Sequence, residues 1–298
     1  MTAGHCRKTL TYLSNHIIIT LFMDKVSVFG STGYIGRNFC KAFPSKVIPI
    51  ERASRLPESN SILYLLSTTH NYNVYNDTQI DIDTNLKILM EVLENCKNKN
   101  VVFNYVSSWF VYGNSRLPAS ESDYCDPKGF YSITKRCAEQ LIESFCSTFN
   151  IPYRILRLSN IYGETDPKAS SQKNAIQHML NKIKNNETVE LYEGGYVLRD
   201  LLHVSDLCEA LKIVLENGKL NDVYNIGSGK PLALRNIMEM AKKHTGSASS
   251  ILSTDTPDFH KQVQARDSYL NVSKLKGLGF IPKINISKGI QMLCSPSA

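Results

Sequence analysis

A glycine-rich stretch, VSVFGSTGYIGRNF, is the feature that most constrains how this chain folds. A β-rich apolar run precedes Gly30, and a helical pattern follows Gly33, which places the glycines at a strand–helix turn. Free N–H groups and the helix dipole at such a turn favour a bound pyrophosphate. The spacing is G-x-x-G-x-x-G rather than G-x-G-x-x-G, yet its context predicts a dinucleotide site. The expected cofactor-binding residues of this loop are Gly30, Thr32, Gly33, Tyr34, Ile35 and Gly36.

Short apolar runs alternate with amphipathic helical stretches after Met23, a pattern typical of a parallel α/β sheet. The predicted strands are Lys25–Phe29, Lys46–Ile50, Ser61–Leu66, Asn100–Val106 and Tyr153–Arg157. The predicted helices between them are Tyr34–Ala42, Thr78–Cys96 and Phe130–Thr148. Beyond residue 160 the pattern loosens, with a predicted loop at 163–175, helices at Ala175–Lys184, Ser205–Glu216 and Leu232–Lys243, and a strand at Val223–Ile226.

The connection between the second and third predicted strands is too short for the usual fold. Only ten residues separate Ile50 from Ser61, so a helix and another strand cannot fit. In the strand order 3-2-1-4-5-6, strand 3 is an edge strand, and its loss leaves the sheet intact. Ten residues reach about 30 Å at ~3.3 Å per residue. We therefore predict a Rossmann-type, doubly wound parallel sheet without its third-strand unit, crossed by this segment near the adenine end of the cofactor.

The same pattern suggests a division of the chain. Residues 1–22 are expected to be an extension, mostly disordered, because their apolar run Ile17–Phe22 is too short for a membrane span and lacks a small-residue cleavage site. Residues 23–160 are expected to form the NAD(P)-binding domain. Residues 161–298 are expected to form mainly a smaller substrate-binding lobe, with the strand near 223–226 returning to the sheet.

Residues after the second predicted strand leave the cofactor open between NAD and NADP. Glu51 lies 21 residues after Gly30, where a carboxylate that binds the ribose is expected. Arg52 and Arg55 follow and could hold a 2′-phosphate, or they could be part of a solvated turn.

Composition and charge limit the partners that we expect. The net charge of +7 is mild and unclustered, which suits a small anionic ligand as well as nucleic acid, and no nucleic-acid motif is present. The eight cysteines include no CxxC pair and no histidine at metal spacing, so reduced thiols in a cytoplasmic protein without a metal are expected.

Tyr131 and Lys135 form a Y-x-x-x-K pair on one face of a predicted helix. A lysine ammonium would lower the phenol pKa and prepare it to exchange protons with a hydroxyl or ketone. A second match, Tyr124 with Lys128, contains Pro127 and is an improbable helix interior. In SSWFVYG, a serine hydroxyl could hold the same substrate oxygen, or the serines could merely end a strand.

These motifs together resemble the extended short-chain dehydrogenase/reductases, in the NAD(P)-dependent nucleotide-sugar epimerase/dehydratase branch. The resemblance continues beyond Tyr131 through four further motifs and covers nearly the whole chain from Met23. These motifs are RLSNIYG (157–163), RDLLHVSDLCEAL (199–211), YNIGSG (224–229) and NVSKLKGLGFIPK (271–283).

The resemblance implies roles for individual residues. It selects Ser108 over Ser107 as the catalytic hydroxyl, completed by Tyr131 and Lys135. It places Asn160 and Arg199 at the diphosphate of a sugar nucleotide. It gives His203 and Asp206 mainly structural roles, and it aligns Lys261 and Arg266, with a poor local match, near a phosphate-facing arginine.

The resemblance implies hydride transfer at C4 of a nucleotide-sugar, by an epimerase or by a 4-ketoreductase. The alternative is a non-catalytic sensor of the same fold, which has no need of the intact Ser108–Tyr131–Lys135 set. Sugar 4,6-dehydratases of the family carry an Asp-Glu pair after the catalytic hydroxyl, where this chain has Trp109 and Phe110. We therefore expect no dehydratase activity. The resemblance also suggests a homodimer through a four-helix contact around 86–96 and 138–149.

Overall fold

The computed structural model describes residues 25–163 and 175–294, so the predicted extension at 1–22 and nearly all of the loop at 163–175 lie outside the described residues. A six-stranded sheet with the order β2-β1-β3-β4-β5-β9 and only parallel pairs forms the centre of the molecule. Its strands are β1 (Val26–Phe29), β2 (Val47–Pro49), β3 (Ser61–Tyr64), β4 (Val102–Ser108), β5 (Tyr153–Leu158) and β9 (Asp222–Ile226). The predicted Rossmann-type sheet is confirmed, including the return of the strand near 223.

The loss of the third-strand unit is also confirmed. Strand β1 pairs with β2 on one side and with β3 on the other, and Val26 is opposite both Val47 and Ser61. Residues 51–60 therefore cross from β2 to β3 without a regular element of their own. Arg55 holds this crossing segment, because its Nε donates to Glu91 at 2.7 Å and its Nη1 donates to the carbonyls of Arg52, Ala53 and Ser54.

Helices cover both faces of the sheet, as a doubly wound fold requires. On one face, α1 (Tyr34–Ala42) and α6 (Val204–Asn217) pack Phe39 and Leu211 against Val28 and Leu156. On the other face lie α2 (Ile80–Ile82), a π-helical turn (Asp83–Lys87), α3 (Ile88–Glu94) and α4 (Phe130–Phe149). The single predicted helix at 78–96 is thus interrupted by a π turn, which the apolar pattern does not reveal.

Short strands that the sequence did not predict organise the part of the chain after β5. β6 (Asn160–Tyr162), β8 (Leu198–His203) and β10 (Pro231–Ala233) form one small sheet, and β7 (Val189–Tyr192) pairs with β11 (Ile251–Thr254). The helices here are α5 (Ala175–Lys184), α7 (Leu234–Thr245), α8 (Asp258–Val263), α9 (Ser273–Gly277) and α10 (Ile286–Cys294). A separate apolar cluster, including Leu180, Ile237 and Ile290, joins several of them. The boundary at residue 160 stays a prediction.

Three further observations concern the described residues only. None of their helices is long and apolar enough to cross a bilayer. None of the seven cysteines among them is in a disulfide. No group of three or more His, Cys, Asp or Glu side chains within 25–163 and 175–294 could hold a metal ion.

Candidate active site

A cleft of about 970 Å³ opens at the carboxyl ends of the central strands, between the sheet and the residues that follow β5. Ligands of open α/β sheets bind at this edge. The cleft is lined by most of the residues predicted for the site, which come from distant parts of the chain. These are Gly30, Gly33, Tyr34, Ile35, Gly36, Ser108, Tyr131, Lys135, Asn160 and Arg199.

The glycine loop forms a tight turn at one end of the cleft. Gly30 has a φ of +83°, a conformation that strains other residues, and its carbonyl accepts a hydrogen bond from the Gly33 N–H at 3.0 Å. A Cβ at Gly36 would collide with the Gly30 carbonyl. The first turn of α1 follows at once, so its free N–H groups face the cleft. This backbone cradle fits the pyrophosphate of a dinucleotide.

Three residues predicted to bind the cofactor, Thr32, Glu51 and Arg52, are exposed and lie outside the residues that line the cleft. The Ile50 N–H donates to the Val28 carbonyl beside β2, and Glu51 is the next residue. Arg55 forms an ion pair with Glu91 at 2.7 Å, whereas Glu51 and Arg52 are exposed.

The predicted catalytic hydroxyls meet where β4 ends and α4 begins. Ser108 is the last residue of β4, and Tyr131 is the second residue of α4; both are buried. Burial raises the pKa of Tyr131 to about 12. A hydrogen bond with Ser108 lowers this pKa, and the Asp81 carboxylate raises it further. A phenol with this pKa is protonated at neutral pH. The Ser108 hydroxyl also accepts a long bond of 3.4 Å from the Phe110 N–H.

Lys135 lies one helical turn after Tyr131 and is only 2% exposed. Its Nζ donates to the Val106 carbonyl at 2.6 Å and lies 4.2 Å from the centre of the Tyr105 ring. Burial lowers the pKa of Lys135 to about 7, although the Glu139 carboxylate acts in the opposite direction. The sequence predicted that the Lys135 ammonium would lower the pKa of Tyr131. In the structure, burial is instead the largest influence on the pKa of both side chains.

Trp109 and Phe110 form an aromatic wall beside Tyr131. Their rings stack with centres 4.1 Å apart, and the edge of one ring contacts Tyr131, since the Phe110 and Tyr131 centres are 5.7 Å apart at 84°. The Arg199 guanidinium lies 5.9 Å from the centre of the Trp109 ring. The wall places no carboxylate at these two positions.

Cationic side chains gather at the far end of the cleft. Arg199, Lys261 and Arg266 all line it, and the Arg199 Nη1 donates to the carbonyls of Leu198 and Arg266. Burial lowers the pKa of Arg199 to about 10, which still leaves it charged at neutral pH. Asn160 lines the cleft as well, and its Nδ2 donates to the Asp200 carbonyl at 3.2 Å. This end of the cleft suits an anionic group.

Three neighbouring polar residues hold the frame of the site. The Asp200 carboxylate accepts hydrogen bonds from the N–H groups of Ser228 and Gly229, which fixes the YNIGSG turn. Asp206 accepts from the N–H groups at 283 and 284, at 3.0 and 2.8 Å. The His203 Nδ1 accepts from the Ser205 N–H at the start of α6. These contacts support the structural roles expected for His203 and Asp206.

Sequence reasoning missed several residues of the cleft. Tyr72, after β3, hydrogen-bonds to His260 of α8 at 3.0 Å, and Tyr72 and Tyr75 both contact the Phe259 ring edge-on. Burial, with a smaller effect of Arg199, lowers the pKa of His260. No local pattern could reveal a contact between residues 188 positions apart.

Comparisons with known proteins identify the family of the chain. The model of the NAD dependent epimerase/dehydratase family matches residues 59–227, which is more than half of the chain. The chain therefore belongs to the NAD dependent epimerase/dehydratase family of nucleotide-sugar enzymes.

Individual relatives differ in the reactions that their names give. A dTDP-D-glucose 4,6-dehydratase of Dictyostelium discoideum is 28% identical over 74% of this chain and 54% of its own length. A putative UDP-glucose 4-epimerase of Methanocaldococcus jannaschii is 28% identical over 84% of this chain and 76% of its own length. The relatives thus include a dehydratase, so similarity does not support the predicted exclusion of dehydratase activity.

Solved structures share the fold. UDP-glucose 4-epimerase of Thermotoga maritima, solved with UDP-glucose, superposes with a TM-score of 0.81 at 21% identity, over 91% of this chain and 97% of that one. RMD of Pseudomonas aeruginosa, solved with NADPH, has a TM-score of 0.79 at 20% identity, and so does the Thermus thermophilus epimerase, solved with NAD; both cover 91% of this chain and 97% of their own.

Proposed function

We propose that this protein is an NAD(P)-dependent enzyme that transfers hydride at C4 of a nucleotide-sugar, as a 4-epimerase or a 4-ketoreductase. The carrying observation is that Ser108, Tyr131 and Lys135 line the same cleft as the glycine loop. A dinucleotide cradle beside a hydroxyl–phenol pair suits the interconversion of an alcohol and a ketone. The dehydratase and epimerase names among the relatives support a nucleotide-sugar substrate.

Each catalytic side chain has a distinct task in this proposal. The Ser108 hydroxyl holds the C4 oxygen, and the Tyr131 phenol, which bonds to Ser108, gives that oxygen a proton or removes one. The bound dinucleotide supplies the hydride acceptor or donor. With its raised pKa Tyr131 is protonated, which suits proton donation to a C4 alkoxide. Lys135, fixed by the Val106 carbonyl, lies one turn away and provides a positive charge when protonated.

The cationic end of the cleft would hold the diphosphate of the substrate. Arg199 is fixed by two carbonyls and lies against Trp109, so its guanidinium has a defined position. Lys261 and Arg266 line the same end. Their exposed partners, Asp258 at 3.3 Å and Glu193 at 3.5 Å, hold them only loosely. Both cations could therefore turn toward a phosphate.

We also propose that the enzyme does not perform 4,6-dehydration. Loss of the C6 hydroxyl needs an acid, because hydroxide is a poor leaving group, and loss of the C5 proton needs a base. Trp109 and Phe110 occupy the positions that follow Ser108, and they stack on each other beside Tyr131. An indole is only a weak hydrogen-bond donor and a phenyl ring is neither donor nor acceptor. Similarity gives no support to this exclusion, since the relatives include dehydratases.

The dinucleotide that leaves the denatured protein tests the proposal and separates its two forms. An epimerase must retain its cofactor through both half-reactions, so release of about one NAD per chain supports the epimerase. Purification without nucleotide, followed by NADPH- or NADH-dependent reduction of a nucleotide-4-ketohexose, supports the reductase. A protein that binds NAD(P)H but transfers no hydride with UDP-, GDP-, CDP- or dTDP-hexoses or their 4-keto forms would contradict the proposal and favour the sensor.

A further inference from the structure

Asn85 is a buried side-chain amide next to the site with a hydrogen-bond partner at each of its positions. It lies in the π-helical turn and is 1% exposed. Its Oδ1 accepts from the Ser67 hydroxyl at 3.0 Å and from the Thr68 N–H at 2.8 Å. Its Nδ2 donates to the hydroxyls of Thr68 and Thr134, both at 2.9 Å. All four hydrogen-bonding positions of the amide are therefore used.

These four bonds join two parts of the catalytic cleft. Ser67 and Thr68 follow β3 and line the cleft directly. Thr134 lies in α4, between Tyr131 and Lys135, and its hydroxyl can donate to the carbonyl of Phe130 or of Tyr131. The amide thus links the wall of the cleft to the first turn of α4.

Two neighbouring groups make this link rigid. The Thr68 hydroxyl donates to the buried Asp81 carboxylate, which also accepts from Asn73 at 3.2 Å. The Asn71 side chain approaches Ser132 of α4 at 3.3–3.4 Å. Asn85 is the central residue of the π turn, and its amide enters this network from there. Fully satisfied buried networks of this kind fix a single arrangement.

We propose that Asn85 is a positioning residue that sets the distance and orientation of Tyr131 and Lys135 relative to the cleft-lining segment 67–68. The inference rests on the proposed hydride-transfer function for its catalytic meaning. Truncation of Asn85 leaves the Thr68 N–H and the Thr134 hydroxyl buried without this partner, and the two segments lose their common register. A misplacement of about 1 Å at a reacting group can cost roughly 100-fold in rate.

Hydrogen exchange tests the link without any substrate. We compare the full chain with Asn85→Ala and with Asn104→Ala by mass spectrometry. Asn104 is a matched control, because it is equally buried and bonds to the Ile62 carbonyl and to Arg154, away from the cleft. In Asn85→Ala we expect peptides that cover 130–137 to exchange about tenfold faster, and in Asn104→Ala we expect no change there. Unchanged exchange at 130–137 in Asn85→Ala would overturn the link, whatever the reaction of the enzyme is.

Kinetics then test the consequence for catalysis, with the nucleotide-hexose that the parent protein turns over. We expect kcat to fall on the order of 10- to 100-fold in Asn85→Ala while KM changes less than threefold. Asn104→Ala, at equal loss of thermal stability, should keep the parental kcat.

If Asn85→Ala does not fold, the isosteric Thr134→Val removes the same bridge from the other side, with about tenfold loss of kcat expected. A parental kcat in the folded variant would overturn the positioning role. A parent without turnover would contradict only the proposed function, because exchange still decides the link.

Discussion

Tyr131 is a buried phenol whose pKa is set by opposing influences. Desolvation raises its pKa to about 12, while the bond with Ser108 lowers it. The Y-x-x-x-K spacing predicts that Tyr131 and Lys135 share a helical face. It does not show how deeply the helix is buried, so it could not predict this pKa. The sequence therefore predicted that Lys135 would dominate the pKa of Tyr131, whereas burial does.

Tyr131→Phe should lower turnover by at least several hundredfold with little change in cofactor affinity. The variant removes the acid/base hydroxyl but keeps the ring, and general acid–base catalysis contributes roughly 10²–10⁴. Steady-state kinetics and dinucleotide titration measure the two effects. Tyr124→Phe is the matched control, because Tyr124 is 83% exposed and should change almost nothing. Equal losses in the two variants would contradict the assignment.

Lys135 should make the stability of the dinucleotide-free protein depend on pH. Its pKa is about 7 in the folded protein, below the value of 10.5 that an unperturbed lysine has. Between these values the unfolded chain binds more protons than the folded one, so stability rises with pH. Lys135→Met lacks this proton, so its free energy of unfolding in urea should exceed that of the parent. The difference should shrink from pH 7 to pH 10. An advantage that stays constant over this range would show that Lys135 is not buried as described.

At the scale of elements, sequence and structure agree closely at the glycine loop, since α1 begins and ends where the pattern predicted. The reason is that Gly30, with its positive φ, and the close approach of Gly36 to the Gly30 carbonyl are local requirements. A conformational requirement that involves only neighbouring residues can be recognised in the sequence itself.

Two glycines of this loop should respond differently to substitution. A Cβ at Gly33 would lie 3.3 Å from the Gly30 carbonyl, a tight but tolerable contact, so Gly33→Val should fold and yet lose dinucleotide binding because its side chain enters the cleft. Gly36→Ala places a methyl group against backbone and should destabilise the fold itself. Thermal unfolding and NAD(P)H fluorescence titration separate the outcomes. Normal NAD(P)H binding by Gly33→Val would show that the loop is not the cofactor site.

Other elements were predicted for a different reason or not at all. The absence of the third-strand unit followed from chain length alone, because ten residues cannot form a helix and a strand. The short strands β6, β8 and β10 were missed, because three to six residues carry too little periodicity to be distinguished from loop. The π turn was missed because it leaves the apolar pattern of the helix almost unchanged.

At the scale of the whole molecule, contacts between distant segments close the cleft. The Tyr72–His260 hydrogen bond and the contact of Phe259 with Tyr75 connect the segment after β3 to α8. The residues proposed for catalysis belong to sequence motifs, whereas these contacts depend on the complete fold, so motifs could not predict this wall of the cleft.

The predicted homodimer through α3 and α4 belongs to this scale. Leu141 is half-buried on α4, within the predicted contact. We expect light scattering to give twice the 33.5 kDa of the chain, and Leu141→Glu to give a monomer, because the buried charge would oppose the contact. Ile281→Glu is the control, since Ile281 is 77% exposed and far from α4 in sequence. A monomeric parent, or a dimer that survives Leu141→Glu, would contradict this interface.

The path of the C4 hydrogen tests the central claim most directly. We would incubate the protein with UDP-, GDP-, CDP- and dTDP-hexoses that carry deuterium at C4, supply NAD(P), and follow the label by mass spectrometry and NMR. We expect the deuterium to leave C4 only when Tyr131 is present. It should then either return to C4 with inverted configuration or be released on the reduced cofactor. The product should not lose water. A product lighter by one water with deuterium at C6, where internal dehydration must return the hydride, would contradict the central claim.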